Sequence, residues 1–267
     1  MSTLDYVLIA MSGFAAGLIN AIAGGGTLVS FPALVALGIP AVSANVTNTV
    51  ALVPGYLGGA YAQRRDLVTY LKRLRWLALV AAAGGLLGSI LLVNSSDDLF
   101  SGLVPILILV ACALLGFQDV IRKQLMKRRR NAAIADASVA SSDLDRADAQ
   151  PASTAMLCLI VAPAAIYGGY FGAGLGIMLL ALLGIALDDP LPRINSLKSA
   201  LSLVINLVAA AFLAFSDYVV WDVAAVMAVA SVVGGVTGGR IAGKLDPKIL
   251  RIVVIVFGLS AAVKFLL

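Results

Sequence analysis

Residues 19–32 read INAIAGGGTLVSFP, in which three consecutive glycines interrupt a run otherwise apolar enough to span a membrane. Glycine is among the least favourable residues in a helix interior, at about 1 kcal/mol relative to alanine. Three in a row therefore predict a break in the helix. A weaker counterpart, FGAGLGIMLLALLG, occupies residues 171–184, so the same break is expected a second time.

The composition of the whole chain is typical of a polytopic membrane protein. Of 267 residues, 61% are hydrophobic and 12% are charged, and the mean hydropathy is +1.02. Residues 6–63 contain no Asp, Lys or Arg, a length sufficient for two to three crossings at about 20 residues each. The net charge of +5 resides in short connections beside apolar segments, which favours the positive-inside rule over nucleic-acid binding.

The apolar segments fall into two groups of five, separated by a polar stretch. They cover approximately residues 6–23, 26–38, 44–62, 76–93, 99–118, 152–170, 173–187, 194–214, 222–239 and 250–267. The stretch between them is poor in large apolar residues and is predicted to be a mobile loop, since it cannot bury a core. The expected domains are a first transmembrane repeat at 1–118, a polar loop at 119–151 and a second transmembrane repeat at 152–267.

Basic residues are concentrated in every second connection between these segments. Those connections are 63–75, 119–151, 188–193 and 240–251. The positive-inside rule places them in the cytoplasm and both termini outside. The two halves then enter the membrane from opposite sides, as in many secondary transporters. The predicted fold is an all-α polytopic membrane protein of two inverted repeats, each with a glycine-broken or short helix.

The glycine breaks indicate a binding site. A broken helix brings unpaired amides to mid-membrane depth, which is tolerated only where the backbone is buried in protein or lines a wet cavity. Helix N-termini carry partial positive charge and bind anions. The alternative role for a membrane glycine is close helix packing, and we prefer it for Gly84, Gly85, Gly234 and Gly235.

Lys198 is the second indication of an anion site. It lies about one turn into an apolar helix, where a charge is costly unless it is paired or hydrated. We interpret it as the fixed positive charge for an anionic substrate. The alternative is that it reaches back to the cytoplasmic surface, and Asp188 and Asp189 are the acids best placed to neutralise it. Aligning Asn45 with Asn195 in the two repeats places Lys198 opposite Asn48.

Uncharged polar residues gather around the same segments and complete the predicted site. The candidate substrate-binding residues are Asn20, Gly24, Gly25, Gly26, Thr27, Asn45, Asn48, Tyr170, Gly172, Gly174, Asn195, Ser196 and Lys198. The chain has no His, every acidic residue is Asp, and both cysteines fall in apolar segments. We therefore predict no catalytic residues, no metal site, no cofactor and no disulfide.

Three stretches carry a resemblance to a known family. They are GLINAIAGGGTLVSFPALVALGIPAVSANVTNTVALVPGYLGGAYAQRRDL at 17–67, YGGYFGAGLGIMLLALLGI at 167–185 and RINSLKSALSLVINLVAAAFLAF at 193–215. Together they resemble the TauE/SafE family of sulfite and sulfonate exporters. The resemblance implies a multi-pass cell (inner) membrane permease with duplicated halves, which moves small sulfur-containing anions such as sulfite, sulfoacetate or related sulfonates, usually outward. From the two repeats we expect this export to proceed by alternating access.

Other functions stay open at this point. A cation transporter, or a cation-coupled one, would have the same architecture. A non-catalytic accessory membrane subunit would use the central loop to bind its partner. An intramembrane enzyme would need a nucleophile–base pair or clustered carboxylates, and the sequence shows neither. The expected partners are a small anion and the lipid bilayer, with a homodimer left open.

Overall fold

A computed structural model describes residues 1–22, 25–62, 71–139, 153–187, 189–241 and 247–266. These residues form helices, with no strand among them. In chain order the helices are α1 (Thr3–Ile22), α2 (Thr27–Ala36), α3 (Ala41–Ala62), α4 (Leu71–Val93), α5 (Asp97–Val139), α6 (Thr154–Tyr170), α7 (Leu175–Ala186), α8 (Leu191–Leu213), α9 (Trp221–Ile241) and α10 (Pro247–Leu266).

Five of these helices are long and apolar enough to cross a membrane. The spans are Thr3–Ala21 in α1, Leu74–Val93 in α4, Asp97–Val120 in α5, Pro192–Leu213 in α8 and Trp221–Gly238 in α9. The prediction of an all-α polytopic membrane protein is confirmed. The inverted relation between the halves, and the side on which each terminus lies, stay predictions.

Both predicted breaks are present, and a short helix follows each one. α2 has 10 residues and α7 has 12, which correspond to about 15 Å and about 18 Å against a hydrocarbon core of about 30 Å. We call residues 23–26 the first glycine corner, of which the structure describes Gly25 and Gly26, and residues 171–174 the second glycine corner. Gly25, Gly172 and Gly174 have φ of +87°, +75° and +74°, which a residue with a Cβ rarely adopts.

The polar stretch after the fifth apolar segment begins as helix, which corrects the expectation of a loop from residue 119. α5 continues to Val139 and is 43 residues long. The sequence RKQLMKRRRNAAIADASV at 122–139 is rich in strong helix formers, so the span extends past its apolar part without needing a core. Residues 140–151 of the predicted loop lie outside the described residues, and the division into domains stays a prediction.

Glycines bring two pairs of helices from opposite halves into backbone contact. A Cβ built on Gly17 of α1 would lie 2.0 Å from the Ser231 carbonyl oxygen of α9. A Cβ built on Gly88 of α4 would lie 2.1 Å from the Ile166 carbonyl oxygen of α6. Such close approach allows packing by dispersion where the hydrophobic effect gives no driving force between helices.

The isolated glycines assigned to packing also lie at these contacts. A Cβ built on Gly84 would lie 2.5 Å from Ala165, and one built on Gly85 would lie 2.8 Å from Ile205. A Cβ built on Gly234 would lie 2.0 Å from Phe14. At Gly235 the nearest atom would be 3.8 Å away, an ordinary contact. The packing role is therefore confirmed for the first three positions and is not required at Gly235.

Packing between the halves follows a paired pattern. α1 packs on α9 as α6 packs on α4, and α3 packs on α9 as α8 packs on α4. α2 contacts α10 as α7 contacts α5, while α3 contacts α8 and α5 contacts α10. A two-fold relation between α1–α5 and α6–α10 would produce this pattern, so it supports the predicted repeat.

Candidate functional site

The two glycine corners converge on one face of α5. A Cβ built on Gly25 would lie 3.0 Å from Leu115 Cδ1, and one built on Gly174 would lie 3.5 Å from Ala111 Cβ. Ala111 and Leu115 are four residues apart, or about 6 Å along the helix axis. The corners of the two halves are therefore neighbours, although they are far apart in sequence.

The first corner is held tightly by α1. The Gly26 amide donates to Asn20 Oδ1 at 2.8 Å, and a Cβ on Gly26 would lie 2.3 Å from the Ala16 carbonyl oxygen. Asn20 thus caps the corner, and Gly26 is packed against backbone. Gly24, the remaining glycine of this predicted set, lies outside the described residues.

Asn48 of α3 ties the first turn of α2 in place. Its Oδ1 accepts a hydrogen bond from Ser30 Oγ at 2.5 Å, and its Nδ2 donates to Thr27 Oγ1 at 3.5 Å. All three side chains are buried. Thr27 and Asn48 are thus brought together as predicted, but in this conformation they satisfy each other.

Several backbone amides of the second corner are unpaired. The Tyr167 hydroxyl donates to the Ala173 carbonyl oxygen at 2.6 Å and so holds the corner in shape. The amides of Ala173, Gly174 and Gly176 meet no acceptor in the described part of the chain. These are the amides at the N-terminus of α7, where the helix dipole adds partial positive charge.

Lys198 lies beside this N-terminus. Its Cδ, Cε and Nζ are each 3.9 Å from the Cβ position of Gly176, and the residue is half-buried. Among the described residues, the carboxylates within 4.0 Å of a basic side chain are Asp189, which pairs with Arg193, and Asp119, which pairs with Arg251. Asp188 lies outside those residues. The ammonium group and the helix N-terminus therefore place two positive charges together, an arrangement that an anion would stabilise.

Asn48 and Lys198 occupy matching places in the two halves. Asn48 contacts Thr27 and Ser30 in the first turn of α2, and Lys198 lies 3.9 Å from the Cβ position of Gly176 in the first turn of α7. This supports the sequence alignment that set them opposite one another. One half presents an uncharged amide and the other an ammonium group.

Asn45 and Tyr170 join the halves next to the second corner. Asn45 Nδ2 donates to the Tyr170 carbonyl oxygen at 2.8 Å, and the Tyr170 hydroxyl lies 3.2 Å from Ser95 Oγ. Asn45 Oδ1 is buried without a hydrogen-bond partner. A buried, unsatisfied oxygen is costly, so this position is one where a change of conformation would recover energy.

Asn195 and Ser196 lie near the start of α8. Ser196 Oγ donates to the Arg193 carbonyl oxygen in its own helix at 2.8 Å. Asn195 is half-buried and already takes part in an interaction. The Ser196 hydroxyl is therefore satisfied within α8.

Two polar residues near the corners were missing from the predicted set. Ser30 is the closest partner of Asn48, and Asn206 places Oδ1 4.0 Å from the Cβ position of Gly172. Ser30 follows Thr27 by three residues, so helical spacing puts both on one face of α2. That spacing was the available signal for Ser30.

Comparison with known proteins gives a match over nearly the whole chain. The family model described as "Sulfite exporter TauE/SafE" matches residues 9–265. A "Probable membrane transporter protein" from Haemophilus influenzae is 27% identical over 254 residues, covering 94% of this chain and 91% of the relative. A "Probable membrane transporter protein ORF9" from Sinorhizobium sp is 24% identical over 275 residues, covering 100% and 95%. No solved structure gives a significant match.

Proposed function

This chain belongs to the sulfite exporter TauE/SafE family of membrane transporters, and from that premise we propose that it exports small sulfur-containing anions. Sulfite, sulfoacetate and related sulfonates are the substrate class. The family description names sulfite, and the two relatives are described only as probable membrane transporters. The proposal that the substrate is an anion therefore rests on the chemistry of the site.

The single observation behind an anionic substrate is the position of Lys198 at the N-terminus of α7. Nζ lies 3.9 Å from the Cβ position of Gly176, close to amides that have no acceptor in the described chain. A sulfonate or sulfite oxygen placed between the ammonium group and these amides would receive charge-assisted hydrogen bonds, which are about twice as strong as neutral ones. A cation at the same place would be repelled by both.

The other predicted residues have supporting roles in this proposal. Asn20 and Asn48 fix the first corner and the start of α2. Asn45 holds the Tyr170 carbonyl, immediately before the second corner. The Gly172 amide already donates to the Tyr167 carbonyl oxygen at 3.2 Å, so Gly172 would shape the corner, and the amides of Ala173 and Gly174 would contribute to the anion's cradle. Arg193, with Asn195 and Ser196, would lie on the anion's path from the cytoplasm.

Transport would follow from movement of one half against the other. The helices of the two halves interlock in matched pairs, and both corners contact α5. Rocking about such an interface would open the Lys198 site alternately to the two sides. The basic connections place the central loop in the cytoplasm and both termini outside, and an inside-negative potential favours efflux of the anion.

The test is flux through the purified chain in proteoliposomes. We expect preloaded sulfite or sulfoacetate to leave these proteoliposomes faster than it leaves preloaded liposomes that contain no protein. Lys198→Gln should abolish that flux, while Arg240→Gln, which removes an exposed charge at the end of α9, should preserve it. Flux of cations that survives Lys198→Gln would instead support cation transport. Absence of any flux from folded wild-type protein would favour an accessory subunit.

A further inference from the structure

A groove separates the end of α2 from the last turns of α10. Its volume is about 260 Å³, and its lining includes Pro32 and Val35 from α2 and Phe257, Ala261, Lys264 and Phe265 from α10. α2 ends at Ala36 after 10 residues. Because it is so short, it leaves the neighbouring part of α10 uncovered.

One end of this apolar groove carries a positive charge. Lys264 lies in the last turn of α10 and its side chain is exposed. It has no carboxylate within 4.0 Å in the described ranges of the chain, where the ion pairs involve Arg193 and Arg251. The groove also contains the Ser260 hydroxyl, which donates to the Phe257 carbonyl oxygen at 2.7 Å and is already satisfied. Lys264 is therefore the polar group available to a ligand.

The groove lies on a helix whose outer face is apolar. α10 exposes a continuous set of large aliphatic side chains, namely Ile249, Ile252, Val253, Val256, Leu259 and Val263. In a membrane transporter such a face contacts lipid. An opening in that face lies next to acyl chains, and a lysine near the end of the helix lies where head groups begin.

We propose that this groove binds an anionic phospholipid. An acyl chain would pack between α2 and α10 along Pro32, Val35 and Ala261, and the phosphate would pair with Lys264. Acyl chains fill apolar clefts through dispersion contacts. The lysine ammonium group forms charge-assisted hydrogen bonds with phosphate oxygens, and it favours a head group of net negative charge over a zwitterionic one that carries its own ammonium group. A small free anion would meet only Lys264, and the apolar walls would give it nothing.

The bound lipid would contact a wall that leads to the second glycine corner. The Phe265 ring stacks on Phe31 at 6.1 Å with an interplanar angle of 6°. Phe31 meets Phe171 of the second corner edge-on, at 5.4 Å. One aromatic ring therefore separates the groove lining from the corner, and a lipid in the groove would restrain the position of α2 through Phe31.

Native mass spectrometry of the purified full-length chain tests the proposal. Protein is loaded with phosphatidylglycerol or phosphatidylethanolamine, and retained lipids are counted as detergent and collision energy are increased. We expect one phosphatidylglycerol to persist on the wild type after phosphatidylethanolamine is lost. Lys264→Gln should remove this head-group preference, and Ala261→Phe, which fills the groove, should reduce retention of both lipids. Arg240→Gln is the matched control and should behave as wild type.

Several outcomes would overturn the proposal. They are equal retention of the two lipids by the wild type, and undiminished phosphatidylglycerol retention by the variants. A lipid-free dimer that Ala261→Phe dissociates would show that a second copy fills the groove instead. Monodispersity of each variant establishes that it is folded, and the Lys264→Gln result stands even if Ala261→Phe fails to fold.

Discussion

The Asn45 side chain of α3 donates a hydrogen bond to the Tyr170 carbonyl of α6, at 2.8 Å, and so joins the two halves of the protein beside the second glycine corner. A carbonyl oxygen can only accept, so it is Nδ2 that faces Tyr170. Oδ1 is consequently the atom that lacks a partner. The amide nitrogen of Asn45 thus has a hydrogen-bond partner, whereas its amide oxygen has none.

Replacing Asn45 with Asp should destabilise this conformation strongly. The carboxylate would face the Tyr170 carbonyl with no proton to donate, in a position that is 0% exposed. We expect a loss of at least about 1–3 kcal/mol, the cost of leaving a buried polar group unsatisfied. Thermal unfolding in detergent measures it. Asn45→Ser, which keeps a donor, should cost less, and an Asp variant as stable as wild type would disprove the role.

Gly174 and Gly176 should respond differently to alanine. At Gly174 the φ of +74° is unfavourable for a side chain, at a cost of about 1–2 kcal/mol. At Gly176 the new methyl group would meet Lys198 atoms at 3.9 Å, an ordinary contact. We therefore expect Gly174→Ala to lower the melting temperature and Gly176→Ala to keep it while reducing sulfite affinity. Equal melting temperatures for both variants would contradict the geometry of the second corner.

Gly17→Ala should disrupt the contact between α1 and α9. The added Cβ would lie 2.0 Å from the Ser231 carbonyl oxygen, closer than real contacts allow, so the helices must move apart. Gly102→Ala in α5 is the control, since nothing lies within 4 Å of that Cβ. We expect a large fall in melting temperature for the first variant and none for the second. Unchanged stability of Gly17→Ala would show that α1 and α9 pack less closely than the structure indicates.

Arg251 of α10 and Asp119 of α5 form a bidentate ion pair. Arg251 Nη1 lies 2.8 Å from Asp119 Oδ2, and Nη2 lies 3.1 Å from Oδ1. Arg251 is 8% exposed, so Asp119→Leu would leave a buried cation without its partner. Since the Asp119 side chain is 39% exposed, we expect a loss of about 1–3 kcal/mol, below the roughly 3–5 kcal/mol of fully buried pairs.

A double variant gives that experiment its control. Asp119→Leu combined with Arg251→Met removes both charges, and unfolding should return towards the wild-type temperature because no buried charge is left alone. A double variant less stable than Asp119→Leu would mean that Arg251 contributes through packing rather than through the pair.

The sequence was sufficient for features that depend on local pattern. Hydropathy located the helices, and the runs at Gly24–Gly26 and Gly172–Gly174 located the corners, because a glycine cluster breaks a helix whatever surrounds it. The predicted start of the loop at residue 119 is wrong, because low hydrophobicity does not exclude a helix. Residues such as Ala133 and Lys127 form solvated helices well.

The contacts of the site could be predicted only in part. Pairing Asn48 with Lys198 followed from the internal repeat, and the structure places both against the first turn of a short helix. The Ser30 contact and the unsatisfied oxygen of Asn45 depend on how helices distant in sequence pack together. No local pattern encodes those distances.

The most direct test of an anion site at the start of α7 is to measure, by thermal shift, whether sulfite binds to the wild-type and Lys198→Gln proteins. A ligand that binds only the folded state raises its stability by mass action. We predict that sulfite raises the melting temperature of the wild type and of Arg240→Gln, and leaves that of folded Lys198→Gln unchanged. An equal rise in all three proteins would contradict the proposal that Lys198 and the amides of α7 hold the anion.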